Sequence, residues 1–287
     1  MTAAPAMPRP EACTVPLLDI HEATIFRGST RVFDAFSLQL RQREQVAILG
    51  PNGSGKSTLL KVINRELYPV AADGSWVRIL GRGSWNVWDL RSRIGIVSHD
   101  LHARYRDTTT GLHVVLSGYL SSIGVQGMPE GRISSGQEAT ARKILQDLGV
   151  AHLADTPLRK MSTGQQRRCL LGRALVHDPD TLVLDEPTAG LDLTASFDYL
   201  ERIRQLVAAG RTIVLVTHLL NEIPPEIERV ILIRGGVIIA DGPKAEVLTV
   251  DNLENAYGTR MRLARVDDYW LAYPAEPARE TAGDGGI

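Results

Sequence analysis

Short apolar runs alternate with one-faced amphipathic stretches along most of this chain. Residues 17–26 and 32–40 read as two strands joined by the turn Arg27-Gly28-Ser29-Thr30. The run Gln45-Val46-Ala47-Ile48-Leu49 reads as a buried strand, and residues 58–63 as the helix that follows it. Residues 76–80 and 94–97 are further short strands. From 110 to about 150 the pattern turns helical, broken by a Gly/Pro/Ser-rich stretch at 124–136, and another helix runs from Gln165 through Val176. The run Thr181-Leu182-Val183-Leu184 is a buried strand. Between 192 and 209, Leu193, Phe197, Leu200, Ile203 and Val207 recur at the spacing of a helix with one apolar face. Residues 211–217 form another buried strand, and 229–240 a hairpin through Gly235-Gly236.

Strands alternating with helices predict an α/β fold whose largely parallel sheet carries helices on both faces. An antiparallel β portion precedes that core, and a helical block is inserted into it. The expected division is a disordered leader at 1–16, a nucleotide-binding domain at 17–262 with the helical block at about 99–176, and a partly disordered extension at 263–287.

Composition narrows the function classes. At 287 residues the chain can build a substantial core, and 44% hydrophobic with 23% charged residues is ordinary for a globular protein. A net charge of −1 provides no global field for nucleic acid or an anionic membrane. No apolar run approaches the roughly eighteen residues needed to span a bilayer. The first sixteen residues hold four prolines and four alanines with no continuous apolar stretch, unlike a secretion signal. Cys13 and Cys169 lie far apart without metal-ligand spacing, which suits a reducing cytoplasm.

The segment Gly50-Pro51-Asn52-Gly53-Ser54-Gly55-Lys56-Ser57-Thr58 fits the phosphate-binding pattern G-x-x-x-x-G-K-[ST]. Its glycines let successive N–H groups turn inward at phosphate oxygens, and a helix N-terminus follows. Lys56 supplies a mobile positive charge, and the Ser57 hydroxyl can ligate magnesium. Downstream, the apolar strand at 181–184 ends in Asp185-Glu186. Such a strand can run beside the loop strand and bring Asp185 to the magnesium, with Glu186 placed to polarise an attacking water. Taken alone, an acidic pair closing a strand or a histidine at a strand end (His218) is equally well a structural feature.

Together these motifs resemble the ATP-binding-cassette (ABC) ATPases. Met161-Ser162-Thr163-Gly164-Gln165-Gln166-Arg167-Arg168 is similar to that family's signature, usually L-S-G-G-Q followed by basic residues. Asp185-Glu186-Pro187-Thr188 and Ala189-Gly190-Leu191-Asp192 resemble its second acidic motif and the loop after it, and Thr217-His218 its switch histidine. The resemblance spans roughly 17–258. It implies a phosphate-loop NTPase core and binding of ATP with Mg2+ between the phosphate loop of one copy and the signature of a second, hence a homodimer. Ser162, Gly164 and Gln165 would then face the γ-phosphate, His218 would hold the geometry of water and Glu186, and Asp192 would couple the two sites.

Three departures from the family pattern stand out. His99 occupies the position where glutamine normally senses the magnesium, so it is either a metal-sensing group or a loop histidine. Thr163 replaces a glycine of the signature. Arg27, with Phe26 before it, stands where an aromatic normally stacks on adenine, and a guanidinium can stack there instead. The stretches Ile96-Val97-Ser98, Leu116-Ser117-Gly118-Tyr119 and Ser121-Ser122-Ile123-Gly124 resemble a branch related to molybdenum-type importer ATPases. Trp85-Asn86-Val87-Trp88 reads as a surface loop whose tryptophans are either satellite core or partner contacts.

The resemblance therefore implies a cytoplasmic ATPase subunit, peripheral to the inner membrane. Its partners would be transmembrane permease subunits and a solute-binding protein, with import favoured and no nucleic acid involved. A ribosome-associated or DNA-repair ABC ATPase is a rival, although the chain has neither a second cassette nor a coiled-coil insertion. A low-turnover regulator is another, kept open by His99 and Thr163.

Overall fold

The computed structural model describes residues 15–98, 101, 105–120 and 133–275. The leader up to residue 14 with Cys13, His99, most of the 124–136 stretch and the end of the chain from 276 lie outside the described residues.

Two layers of sheet open the fold. β1 (Leu18–Arg27) pairs antiparallel with β2 (Thr30–Leu40), and its other edge takes β4 (Trp76–Ile79). The six-stranded main sheet contains β3 (Gln45–Leu49), β5 (Ile94–Val97), β6 (Thr181–Asp185), β7 (Thr212–Thr217), β8 (Arg229–Arg234) and β9 (Val237–Pro243). Its order is β5-β6-β7-β3-β8-β9, parallel except for the final β8–β9 hairpin. The acidic strand β6 therefore does not run beside the loop strand β3, as the sequence suggested, because β7 lies between them. An apolar run reports that a strand is buried on both faces, not which strands flank it.

Alternation along the central strands divides the core in two. Ala47 and Leu49 of β3 join Leu182, Leu184, Ile213 and Leu215 on one side. Val46 and Ile48 join Val183, Val214 and Val216 on the other. The first side is covered by α3 (Gly111–Leu116), α4 (Ser135–Asp147), α5 (Thr163–Leu175) and α6 (Leu193–Ala208). The second is covered by α1 (Lys56–Ile63) and the β1–β2 layer. In α6, Leu200 and Ile203 are buried as their spacing predicts, but Leu193 and Phe197 are 70% and 61% exposed. The periodicity continues into the first turns of the helix, where no core lies beneath.

Five elements were not legible in the pattern. α2 (Val87–Arg93) is short and polar, and it is capped by the Asn86 side chain, which accepts from Trp88 N at 2.9 Å. It takes in residues 87 and 88 of the surface loop expected at 85–88. α7 (Lys244–Val247) and α8 (Val250–Tyr257) follow β9. β10 (Met261–Val266) and β11 (Tyr269–Pro274) then form a hairpin, so a boundary at 262 falls inside a strand. Its turn uses Asp267 and Asp268 at φ 46° and 68°, a left-handed pair usually built from Asn-Gly, which hid the turn from a composition-based reading.

Candidate functional site

The loop from Gly50 to Gly55 joins β3 to α1, and its shape is enforced from below. A Cβ on Gly55 (φ 110°) would meet the Phe33 ring at 2.9 Å, and one on Gly50 would lie 2.1 Å from the Ile233 carbonyl. Gly53 (φ 79°) is left-handed and faces open space, leaving room for a ligand over the loop. No side chain caps α1 and no acid occupies its first turn, so the opening amides are free to meet an anion. Lys56 folds back over the loop, its Nζ donating to the carbonyls of Gly50 at 2.6 Å and Pro51 at 2.9 Å. Burial holds the Lys56 pKa below the usual lysine range, and the negative charges of Glu186 and Asp185 oppose that shift. The buried Ser54 hydroxyl has no hydrogen-bond partner. An incompletely satisfied cationic cradle of this kind fits a polyphosphate.

Ser57, Asp185 and Glu186 line one cleft of about 210 Å³, together with Lys61, Arg91 and Arg173. Among the described residues no trio of His, Cys, Asp or Glu could cage a metal. One hydroxyl and one carboxylate are nevertheless a sufficient protein share for magnesium, which takes its other ligands from phosphates and water. Ser57 and Asp185 are the pair that could hold it.

At the end of β6 the chain turns sharply, with Glu186 at φ 46°. For a non-glycine residue that conformation costs about 1 kcal/mol or more and needs external support. The support comes from three bonds. Glu186 N donates to Val216 O at 2.8 Å, Ala189 N donates to Glu186 O at 3.1 Å, and the Arg167 guanidinium donates to Glu186 O at 3.0 Å. The Glu186 carboxylate meets His218 at the end of β7, Oε1 to Nδ1 at 2.9 Å. The intervening β7 is what makes this contact possible, since adjacent parallel strands end side by side.

Ser162 caps α5 through a capping box. Its hydroxyl accepts from Gln165 N at 3.3 Å, and Gln165 Oε1 accepts from Ser162 N at 2.9 Å. Ser162 and Thr163 are exposed, so the cap and the positive end of α5 face outward. Gly164 packs on α6, where an added Cβ would come within 3.0 Å of Ala195 Cβ. Asp192 caps α6 and accepts from Ala195 N at 2.8 Å. Phe26 and Arg27 close β1 at the exposed hairpin tip, next to the Val32-Phe33 pair that backs the loop.

Arg167 lies within the signature, where the sequence alone gives it no role. It is buried, and it connects α5 to the acidic loop through Glu186 O and Ala189 O, the latter at 2.7 Å. Gly236 is a second such residue, its N donating to Ser54 O at 2.9 Å from the β8–β9 turn. Neither role has a local sequence signal, because each depends on a partner elsewhere in the chain.

The ABC transporter family pattern matches residues 33–189. The cobalt import ATP-binding protein CbiO of Rhodobacter capsulatus is 34% identical over 230 residues, 78% of this chain and 77% of that protein. The hemin import ATP-binding protein HmuV of Bradyrhizobium diazoefficiens is 29% identical over 238 residues, 80% and 84% of the two chains. Among solved structures, cbiO1 of Clostridium perfringens, part of the ABC transporter complex cbiONQ, is similar at a TM-score of 0.67. That likeness comes with 25% identity and covers 84% of this chain and 94% of that one. The molybdenum-type branch is not singled out by these relatives.

Proposed function

The chain belongs to the ABC transporter family of ATP-binding proteins, and from that premise we propose that it is the ATP-hydrolysing subunit of an importer. The observation that supports this best is the meeting of a phosphate cradle, Asp185 and the Glu186–His218 pair where the neighbouring strands β3, β7 and β6 end. Loop amides and Lys56 hold the triphosphate. Glu186 accepts the proton of the water that attacks the γ-phosphorus, and His218 keeps that carboxylate aimed. Ser57 and Asp185 would hold magnesium, which would supply positive charge to the phosphates.

The outward-facing cap at Ser162, with Gly164 and Gln165 behind it, is assigned to the γ-phosphate held by a second copy, and Asp192 to the contact between the two sites. Membrane passage is assigned to separate permease subunits, because no helix among the described residues is long and apolar enough to cross a bilayer. The two relatives are named for import, which favours that direction, a solute-binding protein as a further partner, and a place at the inner face of the membrane.

Phosphate release and dimerisation test the reading together. Wild type should release phosphate from Mg-ATP, and Glu186→Gln should lose about 100-fold or more of that turnover while forming a stable dimer on ATP. A wild type without turnover, or a Glu186→Gln variant that stays monomeric at saturating Mg-ATP, would contradict it.

A further inference from the structure

Glu222 is 1% exposed, a carboxylate as deeply buried as the central strands. It closes a single 3-10 turn, Leu220–Glu222, just after β7. Its Oε1 accepts from Thr188 N at 3.1 Å and from the Thr188 hydroxyl, and its Oε2 accepts from the Thr217 hydroxyl. Thr188 lies two residues after Glu186, and Thr217 immediately precedes His218. One carboxylate thus ties together the two segments that present the Glu186–His218 hydrogen bond. Its oxygens are divided between them, one to each side.

The surroundings make the same point. Glu186 sits at φ 46°, a conformation its own backbone does not favour. The His218 carbonyl is held separately by the Tyr257 hydroxyl of α8 at 2.9 Å. Thr217 Oγ1 also accepts from Leu219 N at 2.9 Å, so the Thr217 hydroxyl has its orientation fixed from two directions. Burying a carboxylate is costly until its hydrogen bonds compensate. Two threonines could be bridged by a neutral amide at lower cost. A carboxylate whose two oxygens accept from opposite sides suits a joint that must not slip.

We propose that Glu222 is a positioning residue for hydrolysis: by fixing Thr188 against Thr217 it holds Glu186 and His218 in register. The proposal rests on the ATPase reading above. It assigns Glu222 no contact with nucleotide, so its effect falls on turnover and not on binding. It also acts through Glu186, so the two residues are not independent.

The experiment is a double-mutant cycle on the full chain, with Glu222→Ala, Glu186→Gln and the combination. Each is read for kcat, for ATP affinity by calorimetry and for thermal midpoint. Glu222→Ala should lower kcat about 10- to 100-fold, as loss of register does, and leave ATP affinity within about threefold. On the Glu186→Gln background it should lower kcat no further. Glu222→Gln, which keeps one acceptor, should recover part of the loss. If Glu222→Ala does not fold, Thr217→Val decides the matter. It removes one hydroxyl and keeps the shape, and should lower kcat about three- to tenfold without weakening ATP. A folded Glu222→Ala within twofold of wild type, a loss that adds in full to that of Glu186→Gln, or a fall in affinity matching the fall in kcat would overturn the proposal. In each of those cases an active wild type leaves the ATPase reading standing, whereas an inactive wild type removes both.

Discussion

Gly236 stands far beyond the phosphate loop in sequence, yet it governs where that loop lies. Its N–H donates to Ser54 O at 2.9 Å, and a Cβ at this position would sit 2.0 Å from the Val32 carbonyl. That obstacle is backbone, so no side chain can rotate away. A tolerable contact needs at least 3.0 Å, so Gly236→Ala must push the β8–β9 turn about an ångström away from β2 and the loop. Gly235 is a built-in control. Its φ is also positive, at 55°, but nothing lies within 4 Å of an added Cβ. Alanine at either position pays about 1–2 kcal/mol for a left-handed backbone. Gly236→Ala further loses the hydrogen bond to Ser54, worth about 1 kcal/mol, and strains the contact with β2. Urea unfolding should therefore show Gly235→Ala down by about 1 kcal/mol and Gly236→Ala by about 3 kcal/mol. Calorimetry should show ATP affinity unchanged in the first and weakened about tenfold or more in the second, because loop amides a few tenths of an ångström out of place lose their aim. Equal ATP affinity in the two variants would refute the view that this turn buttresses the loop.

Two further predictions concern stability. Burial pushes the Cys169 thiol up to about 12 from its ordinary 9.0. The folded state then keeps a proton that the unfolded chain releases, so this stabilisation is complete below pH 9 and fades between 9 and 12. Raising the pH from 9 to 10 should cost wild type about 1 kcal/mol more than Cys169→Ala in urea unfolding, and parallel losses would count against it. Arg229 donates to both oxygens of Asp241 at 2.7 Å and to Glu44 at 3.0 Å, tying the β9 edge to the turn before β3. Its pKa is held above the usual arginine range, chiefly by the bond to Asp241. Arg229→Met strands a half-buried Glu44 and should destabilise by about 2–4 kcal/mol; a loss under about 0.5 kcal/mol would show the network to be ornamental.

Features that one segment encodes were legible in the sequence. The glycine spacing of 50–55 and the apolar run before it specify a strand, a tight turn and a helix, and those are the elements found. The strands at 181–184 and 211–217 followed from their unbroken apolar composition. Features that need two segments to meet were not legible. Nothing in residues 181–186 says that β7 separates β6 from β3, and that separation is what sets His218 beside Glu186. Glu222 looks like an ordinary surface glutamate until Thr188 and Thr217 surround it. Short polar α2 and the Asp267-Asp268 turn escaped because neither carries the periodicity or the glycine that marks such elements.

In the proposed function a phosphate loop becomes productive only with the signature of another copy. Mixing two inactive variants tests it most directly: Lys56→Ala, whose loop is disabled, and Ser162→Arg, whose signature is disabled. Each alone should release almost no phosphate. In the mixture half the dimers are mixed, each with one intact pairing of Ser162→Arg loop and Lys56→Ala signature, so activity should return to about a quarter of wild type. If the mixture stays inactive although mixed dimers form on ATP, or if Ser162→Arg alone turns over like wild type, the shared site is contradicted.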